Sequence, residues 1–373
     1  MEDKYLQPEV PGARDSDEDS DGASIKSTRS CASTTLPQIH ENGRRYCSTV
    51  YFMPNDETEL TRLNITHQIY LILLDGCLTT VPFNPKSTPR ILDVGTGPGD
   101  WAIEMSAEFP NAEIIASDIG VFDSGLGHLS LPNVDFQLAD AQSEWTYHSP
   151  FDLVHIRGLS GAFLDWGRIY RQAFAHLKPG GYIEVADSDP AGETISFGEN
   201  THSENSCLKE YTSTLREIAK EAGYPRDLEH LQTSALSAAG FVDVRVLERT
   251  IPIGLWPEDD QEKTLGKMAL IALLEGLEAY ALRPLTASGR YTSDEARQLC
   301  ERVQEEVLGS SGLRITVKIV TGRRPASYAQ KRQDVLARAM AKAKVIKEKD
   351  GFPGAGGGKR IGIFLEKKRK GRW

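Results

Sequence analysis

An α/β fold built on a parallel sheet is what this 373-residue sequence predicts, and three observations carry that prediction. β-rich apolar runs recur at 90–94, 113–117, 134–138, 153–156 and 182–186. Helical patterns fall between several of them, at 101–108 and 166–177, the alternation that parallel strands with crossover helices require. The first run ends in a glycine-rich turn, Gly95-Thr96-Gly97-Pro98-Gly99, where a helix begins. Composition agrees, since 39% hydrophobic and 26% charged residues are the proportions of a folded globular chain.

The elements follow in order. Residues 1–45 mix acidic, Ser and Thr residues with little apolar periodicity, which predicts a disordered arm. One domain is expected over 46–325, opening with an apolar helix at 64–74. The five runs above form its first half, about 89–190, and LKPGG at 177–181 is expected to be a tight turn into the fifth strand. The rhythm then changes to helices at 205–222 and 228–239, a strand at 242–249, helices at 262–281 and 293–308, and a strand at 314–320. That last strand alternates Arg314, Thr316 and Lys318 with Ile315, Val317 and Ile319, as a half-exposed strand near a sheet edge does. Residues 190–310 would cap the sheet. Beyond 325 lie a basic helical pattern, a glycine linker at 351–358 (GAGGGKR lacks the residues of a phosphate loop) and a basic tail.

Charge excludes some functions. Residues 1–50 hold nine acidic and six basic side chains, and 326–373 hold fourteen basic and four acidic. With −10 overall, the middle of the chain carries −17, and a body that acidic repels phosphate backbones. Nucleic-acid binding by the core is therefore not expected. The basic tail is left for protein partners, and KKRK at 367–370 matches a nuclear import cluster, against an otherwise cytoplasmic expectation. The most apolar stretch, 268–282, is short of the roughly 20 residues a membrane span needs and carries Glu275 and Glu278. No apolar segment near the N-terminus predicts secretion. Five scattered cysteines without CxxC predict neither disulfides nor a zinc ribbon, and no metal is expected.

The chemistry concentrates at RILDVGTGPG, 90–99. Glycines there let the backbone turn sharply and lie close to a ligand at a helix N-terminus. A dinucleotide loop would have a third glycine where this chain has Asp100, and a triphosphate loop would continue with Lys-Ser or Lys-Thr. Asp93 and Asp100 both oppose a diphosphate, so the loop suits a nucleoside ligand without phosphates. Asp118, with Ile119 beside it, ends the second run, where an acidic residue takes two ribose hydroxyls. Asp140, after the third run, is placed to meet an adenine edge beside the backbone of Ala141. Each acid alone reads as an ordinary strand-end residue. Three at successive strand tips converge on the ligand crevice of an open α/β sheet, and together they point to S-adenosylmethionine.

This ordered set resembles the class I S-adenosylmethionine-dependent methyltransferases over 89–187. YFMPNDETELTRL (51–63), EWTYHSPFDLVHIRGLSGAFLDW (144–166), IPIGLWPEDDQEKTLGK (251–267), EGLEAY (275–280) and VKIVTGRRP (317–325) narrow the resemblance to the fungal LaeA-like family, over about 50–325. The resemblance implies a Rossmann-like sheet of seven strands in the order 3-2-1-4-5-7-6, the last antiparallel, with an N-terminal helical segment and a helical cap. It also implies fungal secondary metabolism, as a tailoring enzyme that methylates O or N of a small metabolite or as a nuclear regulator of gene clusters. The regulators tend to have G-C-G-T-G where this chain has GTGPG, which favours the tailoring reading. A nucleoside-binding module that never consumes its ligand is the third alternative.

The expected cofactor residues are therefore Asp93, Gly95, Thr96, Gly97, Gly99, Asp118, Ile119, Asp140 and Ala141. Arg157 joins them, either pairing with the cofactor carboxylate in a bidentate fork or with one of the core acids. Tyr51 either gives a π-face to the sulfonium or packs in the interior. Trp101 either lines the pocket or packs on the sheet. His155 is the candidate general base, because imidazole titrates near neutral pH, while in-line positioning makes a base dispensable. His67, on an apolar helix, reads as structural. Asp187 and Asp189 suggest a solvated loop rather than a metal site. Phe197, Tyr211, Tyr224, Trp256, Leu274 and Tyr280 suit a fairly apolar acceptor pocket or the core.

Overall fold

The computed structural model describes residues 38–83, 88–122, 131–188, 195–196 and 206–326. Folded chain begins earlier than expected. Strands β1 (Ile39–Glu41) and β2 (Arg44–Tyr46) form an antiparallel hairpin, so the last residues of the expected arm of 1–45 are folded; 1–37 lie outside the described residues. The local signal was Asn42-Gly43, whose positive φ values of 53° and 76° match the two-residue turns that twist with a hairpin. Helix α1 (Glu57–Leu73) also starts two turns ahead of the apolar stretch. Asp56 sets that start by accepting from the Glu59 amide at 3.1 Å, satisfying a donor the first helical turn leaves free.

The parallel half follows as expected: β3 (Arg90–Val94), α2 (Asp100–Glu108), β4 (Glu113–Asp118), β5 (Val134–Leu138), β6 (Phe151–Arg157), α3 (Trp166–His176) and β7 (Leu177–Asp187). Ile91, Leu92 and Val94 are buried, as the near-continuous apolar pattern of a central parallel strand requires. LKPGG belongs to β7 itself. Leu177 pairs with Phe151, and the register then slips at a bulge before Tyr182 meets Leu153.

The second half holds β8 (Ile195–Ser196), α4 (Cys207–Glu221), α5 (Thr233–Ala238), β9 (Val242–Pro252), α6 (Asp260–Ala287), α7 (Ser293–Gly309) and β10 (Arg314–Arg323). The helix expected at 228–239 is instead a 3₁₀ turn, Glu229–Leu231, followed by α5. Helix α6 continues past 281 with Pro284 in its last turns. Helix α7 starts at a capping box in which Thr292 and Glu295 satisfy each other's backbone donors.

The sheet runs β5-β4-β3-β6-β7-β10-β9, with β10 antiparallel to both neighbours. In main-sheet numbering this is 3-2-1-4-5-7-6, the order the resemblance implied. There is one addition: β8 pairs with Arg314 and Ile315 of β10, making eight strands rather than seven. Helices α4, α6 and α7 pack a large apolar cluster against β9 and β10, centred on Leu215, Leu277, Leu282, Leu299 and Val303. The strand tips of β3, β4, β6 and β7 therefore face a helical roof, and the crevice between them holds the site. Among the described residues no helix is long and apolar enough to cross a membrane.

Candidate active site

The floor of the crevice is made mostly of backbone. Gly95, Gly97 and Gly99 all have left-handed φ, 69°, 58° and 94°. At Gly99, which opens α2, an added Cβ would meet the Phe136 ring at 2.7 Å, so any side chain would be strained twice. The amides of Gly95 and Thr96 donate to the Ser117 carbonyl at 2.8 and 3.0 Å, tying the loop to β4. Asp118, at the tip of β4, accepts from the Gly97 amide on Oδ2 (2.8 Å) and from the Gly120 amide on Oδ1 (2.9 Å). Each oxygen keeps a lone pair for a ligand hydroxyl. Burial pushes its carboxyl above the usual carboxylate range, with the two amides opposing the shift and the Asp93 charge adding to it.

Asp93 and His155 sit side by side on β3 and β6, 2.7 Å apart between Oδ1 and Nδ1 and both buried. His155 lies flat against Trp101, with ring centroids 3.7 Å apart. The Trp101 Nε1–H donates to the Leu78 carbonyl at 2.7 Å, and the buried ring both packs against the sheet and borders the inner chamber. The Asp93 Oδ2 and Thr96 Oγ1 atoms, both at the loop, are buried without a partner among the described residues.

Arg157, at the tip of β6, has no described carboxylate within ion-pair distance. It donates to Nδ1 of His67 (3.1 Å) and lies 4.9 Å from the centre of the Tyr70 ring. Burial lowers its affinity for its proton, with opposing contributions from Tyr70, Asp93, Asp100 and Glu184, but it remains a cation. Burial, and then Arg157, hold His67 below the ordinary histidine range. It is a neutral acceptor with Nε2 3.2 Å from Glu104, consistent with its structural reading.

Two connected spaces use these groups. An inner chamber of ≈ 180 Å³ is lined by Asp93, the glycine loop, Arg157, Tyr70, Asp187 and the apolar Ile251, Ile253 and Leu273. An outer cleft of ≈ 1020 Å³ includes Ile119, Asp140 and Ala141. Tyr51, Phe52, Gly95, Asp118, Leu159 and Arg226 belong to both. Except for the buried Gly99, every expected cofactor residue thus borders one or both of these spaces, Asp140 from an exposed position on the outer side. Tyr51 stands at the junction, and burial keeps its hydroxyl well above the ordinary phenol range, so it is neutral.

Asp187 is a buried carboxylate and not part of a solvated loop. Its oxygens accept from the amides of Ser160 (2.6 Å) and Ser188 (2.9 Å), and Asp189 lies outside the described residues. Tyr280 lines the inner chamber and Tyr224 the outer cleft, whereas Tyr211 and Leu274 belong to the cap's apolar cluster. Trp256 packs by the Arg314 guanidinium, and Phe197 lies outside the described residues.

The roof is held by arginines, of which only Arg62 lies in a motif singled out from the sequence, YFMPNDETELTRL. Arg283 of α6 donates to Glu41 (2.9 Å) and to the carbonyls of Ser48 (2.7 Å) and Tyr51 (2.8 Å), strapping the hairpin segment over the cleft. Arg62 of α1 grips Glu59 with two bonds of 2.7 and 2.6 Å. Arg226, from the loop after α4, reaches the junction of the two spaces.

This combination of sheet order, loop and strand-tip acids is that of the class I S-adenosylmethionine-dependent methyltransferase fold. Comparison with known sequences agrees. A family model described as a methyltransferase domain matches residues 66–226. The secondary metabolism regulator LAE1 of Cochliobolus heterostrophus is 33% identical over 276 residues, covering 72% of this chain and 88% of that protein. Methyltransferase pytC of Aspergillus terreus is 30% identical over 298 residues, covering 78% of this chain and 90% of its own length. Among solved structures, a Haemonchus contortus N-methyltransferase aligns with 75% of this chain and 62% of its own, at 19% identity and a TM-score of 0.43. The chain belongs to the fungal LaeA-like methyltransferase family.

Proposed function

We propose that this chain transfers the methyl group of S-adenosylmethionine to an oxygen or nitrogen of a small, fairly apolar metabolite. The observation that carries the reading is Asp118, whose two oxygens each hold one backbone N–H and keep one lone pair for a ribose hydroxyl. Asp93, Asp100 and Asp118 around one loop disfavour a diphosphate and favour a ligand bearing an ammonium and a sulfonium. Asp140 and the Ala141 backbone in the outer cleft would meet the adenine. Arg157 would hold the carboxylate of the amino acid tail, and the unpartnered Asp93 Oδ2 and Thr96 Oγ1 would receive its donors.

The cofactor, when bound, supplies an electrophilic methyl group. What remains for the protein is placement. In-line positioning of two reactants is worth up to about 7–11 kcal/mol, which leaves no requirement for a base. His155, paired with Asp93 and stacked on Trp101, fits a positioning residue that fixes the Asp93 carboxylate better than a general base. The hairpin strap and the residues of the roof exclude water from the inner chamber.

The test is mass spectrometry of reactions with S-adenosylmethionine and a panel of small phenols, hydroxy acids and amines. A product heavier by one methylene, formed together with S-adenosylhomocysteine, supports the reading. Cofactor that binds and is never consumed with any acceptor points to a binding module. Similarity to LAE1 and the basic 367–370 cluster favour a second reading, a nuclear regulator. It predicts nuclear accumulation that is lost when that cluster is replaced by alanine. The cluster lies outside the described residues.

A further inference from the structure

We propose that Arg226 is the anion-recognition residue of the acceptor site, so that the acceptor is a small, mainly apolar molecule carrying a carboxylate or a comparably delocalised oxyanion. The proposal rests on the methyl-transfer reading above and narrows its acceptor.

Arg226 is one of four buried arginines among the described residues, with Arg44, Arg62 and Arg283. The other three each have a carboxylate within ion-pair distance, from Asp56, Glu59 and Glu41 respectively. Arg226 has none among the described residues. Only neutral groups hold it. Its Cζ lies 4.5 Å from the centre of the Phe52 ring and 4.7 Å from that of Tyr280. Its Nη1 donates to the Tyr280 carbonyl at 3.1 Å. That carbonyl is available because residue 284, whose amide would bond to it in an α-helix, is proline. An alanine at Gly161 would put its Cβ 2.8 Å from the Arg226 Cγ, so the glycine lets the two chains approach.

A guanidinium gripped on its sides by rings and one carbonyl, with Nε buried and lacking an acceptor, is a charge set up for a partner that this chain does not provide. Its place says which partner. Arg226 borders both the inner chamber and the outer cleft, whereas Arg157 borders only the inner one, beside the glycine loop. One amino acid tail brings one carboxylate, and Arg157 on the β6 tip is positioned for it. The second unpaired cation is left for the acceptor. Ile251, Ile253 and Leu273 line the same chamber and suit an apolar body behind the charged group.

The test uses 2-naphthoate and its neutral isostere 2-naphthamide, titrated calorimetrically into the full chain saturated with S-adenosylhomocysteine. The wild type is expected to bind the naphthoate about tenfold or more tightly than the amide. Arg226→Met is expected to erase that preference while leaving S-adenosylhomocysteine affinity within about twofold. Arg226→Lys, which keeps the charge without the fork, is expected to retain part of the preference and to decide the matter if the methionine variant does not fold. Equal affinity of the wild type for the two probes, or binding of neither, overturns the proposal. So does an Arg226→Met variant that loses S-adenosylhomocysteine but keeps the naphthoate preference, since the guanidinium would then serve the cofactor. Wild-type protein that gives no heat with S-adenosylhomocysteine overturns the methyl-transfer reading as well, and that result is distinct from the others.

Discussion

The two walls of the crevice are built from different materials. The floor is backbone: three glycines in left-handed conformation, amides pointing at Asp118, and strand tips fixed by the parallel register of β3, β4 and β6. The roof is side chain: Arg226 and Arg283 donate across long sequence separations, and Arg62, bonded to Glu59 within α1, lies 5.3 Å from the centre of the Tyr280 ring of α6. A floor of backbone has a geometry that depends on little besides glycine and one carboxylate. A roof of long side chains can be re-aimed by single substitutions that leave the floor unchanged.

The largest effect is expected on the floor. If Asp118 takes the two hydroxyls as proposed, Asp118→Ala removes two contacts each worth about 1.5–3 kcal/mol to a charged acceptor, so S-adenosylmethionine affinity should fall by roughly 100-fold or more. The chain should stay folded, losing about 1–2 kcal/mol as the Gly97 and Gly120 amides lose their partner. Undiminished affinity in a calorimetric titration would show that the floor does not read ribose.

A roof substitution should reverse that pattern. Arg283→Met removes the bonds to Glu41, Ser48 and Tyr51 and is expected to cost about 2–4 kcal/mol in urea unfolding. Hydrogen exchange should rise over 39–55 while β3 and β4 stay protected. Faster exchange throughout the sheet would mean that the walls are not separable.

The smallest effect sharpens the boundary between them, at His67 under Arg157. Its folded-state pKa lies below the ordinary 6.5, so the folded chain binds fewer protons there than the unfolded chain. Its contribution is therefore intact well above 6.5 and is lost as pH falls through that value toward the lower folded one. The loss is at most about 1.4 kcal/mol per pH unit from this group. His67→Gln should flatten that part of the stability profile, and identical slopes in the two proteins would refute the assignment.

The same contrast explains what could be read from the sequence. Asp93, the glycine loop, Asp118 and Asp140 were legible because each lies at the end of a short apolar run, and the parallel sheet brings those ends to one edge. Arg226 was not. Its partner Tyr280 is 54 positions away on another element, and the carbonyl it uses is free only because α6 continues through Pro284. A helix ended at 281 hides that carbonyl. The hairpin had a signal in Asn42-Gly43, but strands of three residues are too short to show a period, and the acidic stretch before them set the expectation of disorder. Helix α1 began early because of Asp56, a cap that precedes the apolar pattern instead of interrupting it.

The central claim is that the floor is a site for a nucleoside without phosphates, and calorimetric titration with S-adenosylmethionine, S-adenosylhomocysteine and NAD tests it most directly. The predicted result is roughly micromolar, one-to-one binding of the first two and no heat with NAD. Binding of NAD, or of none of the three, would contradict it.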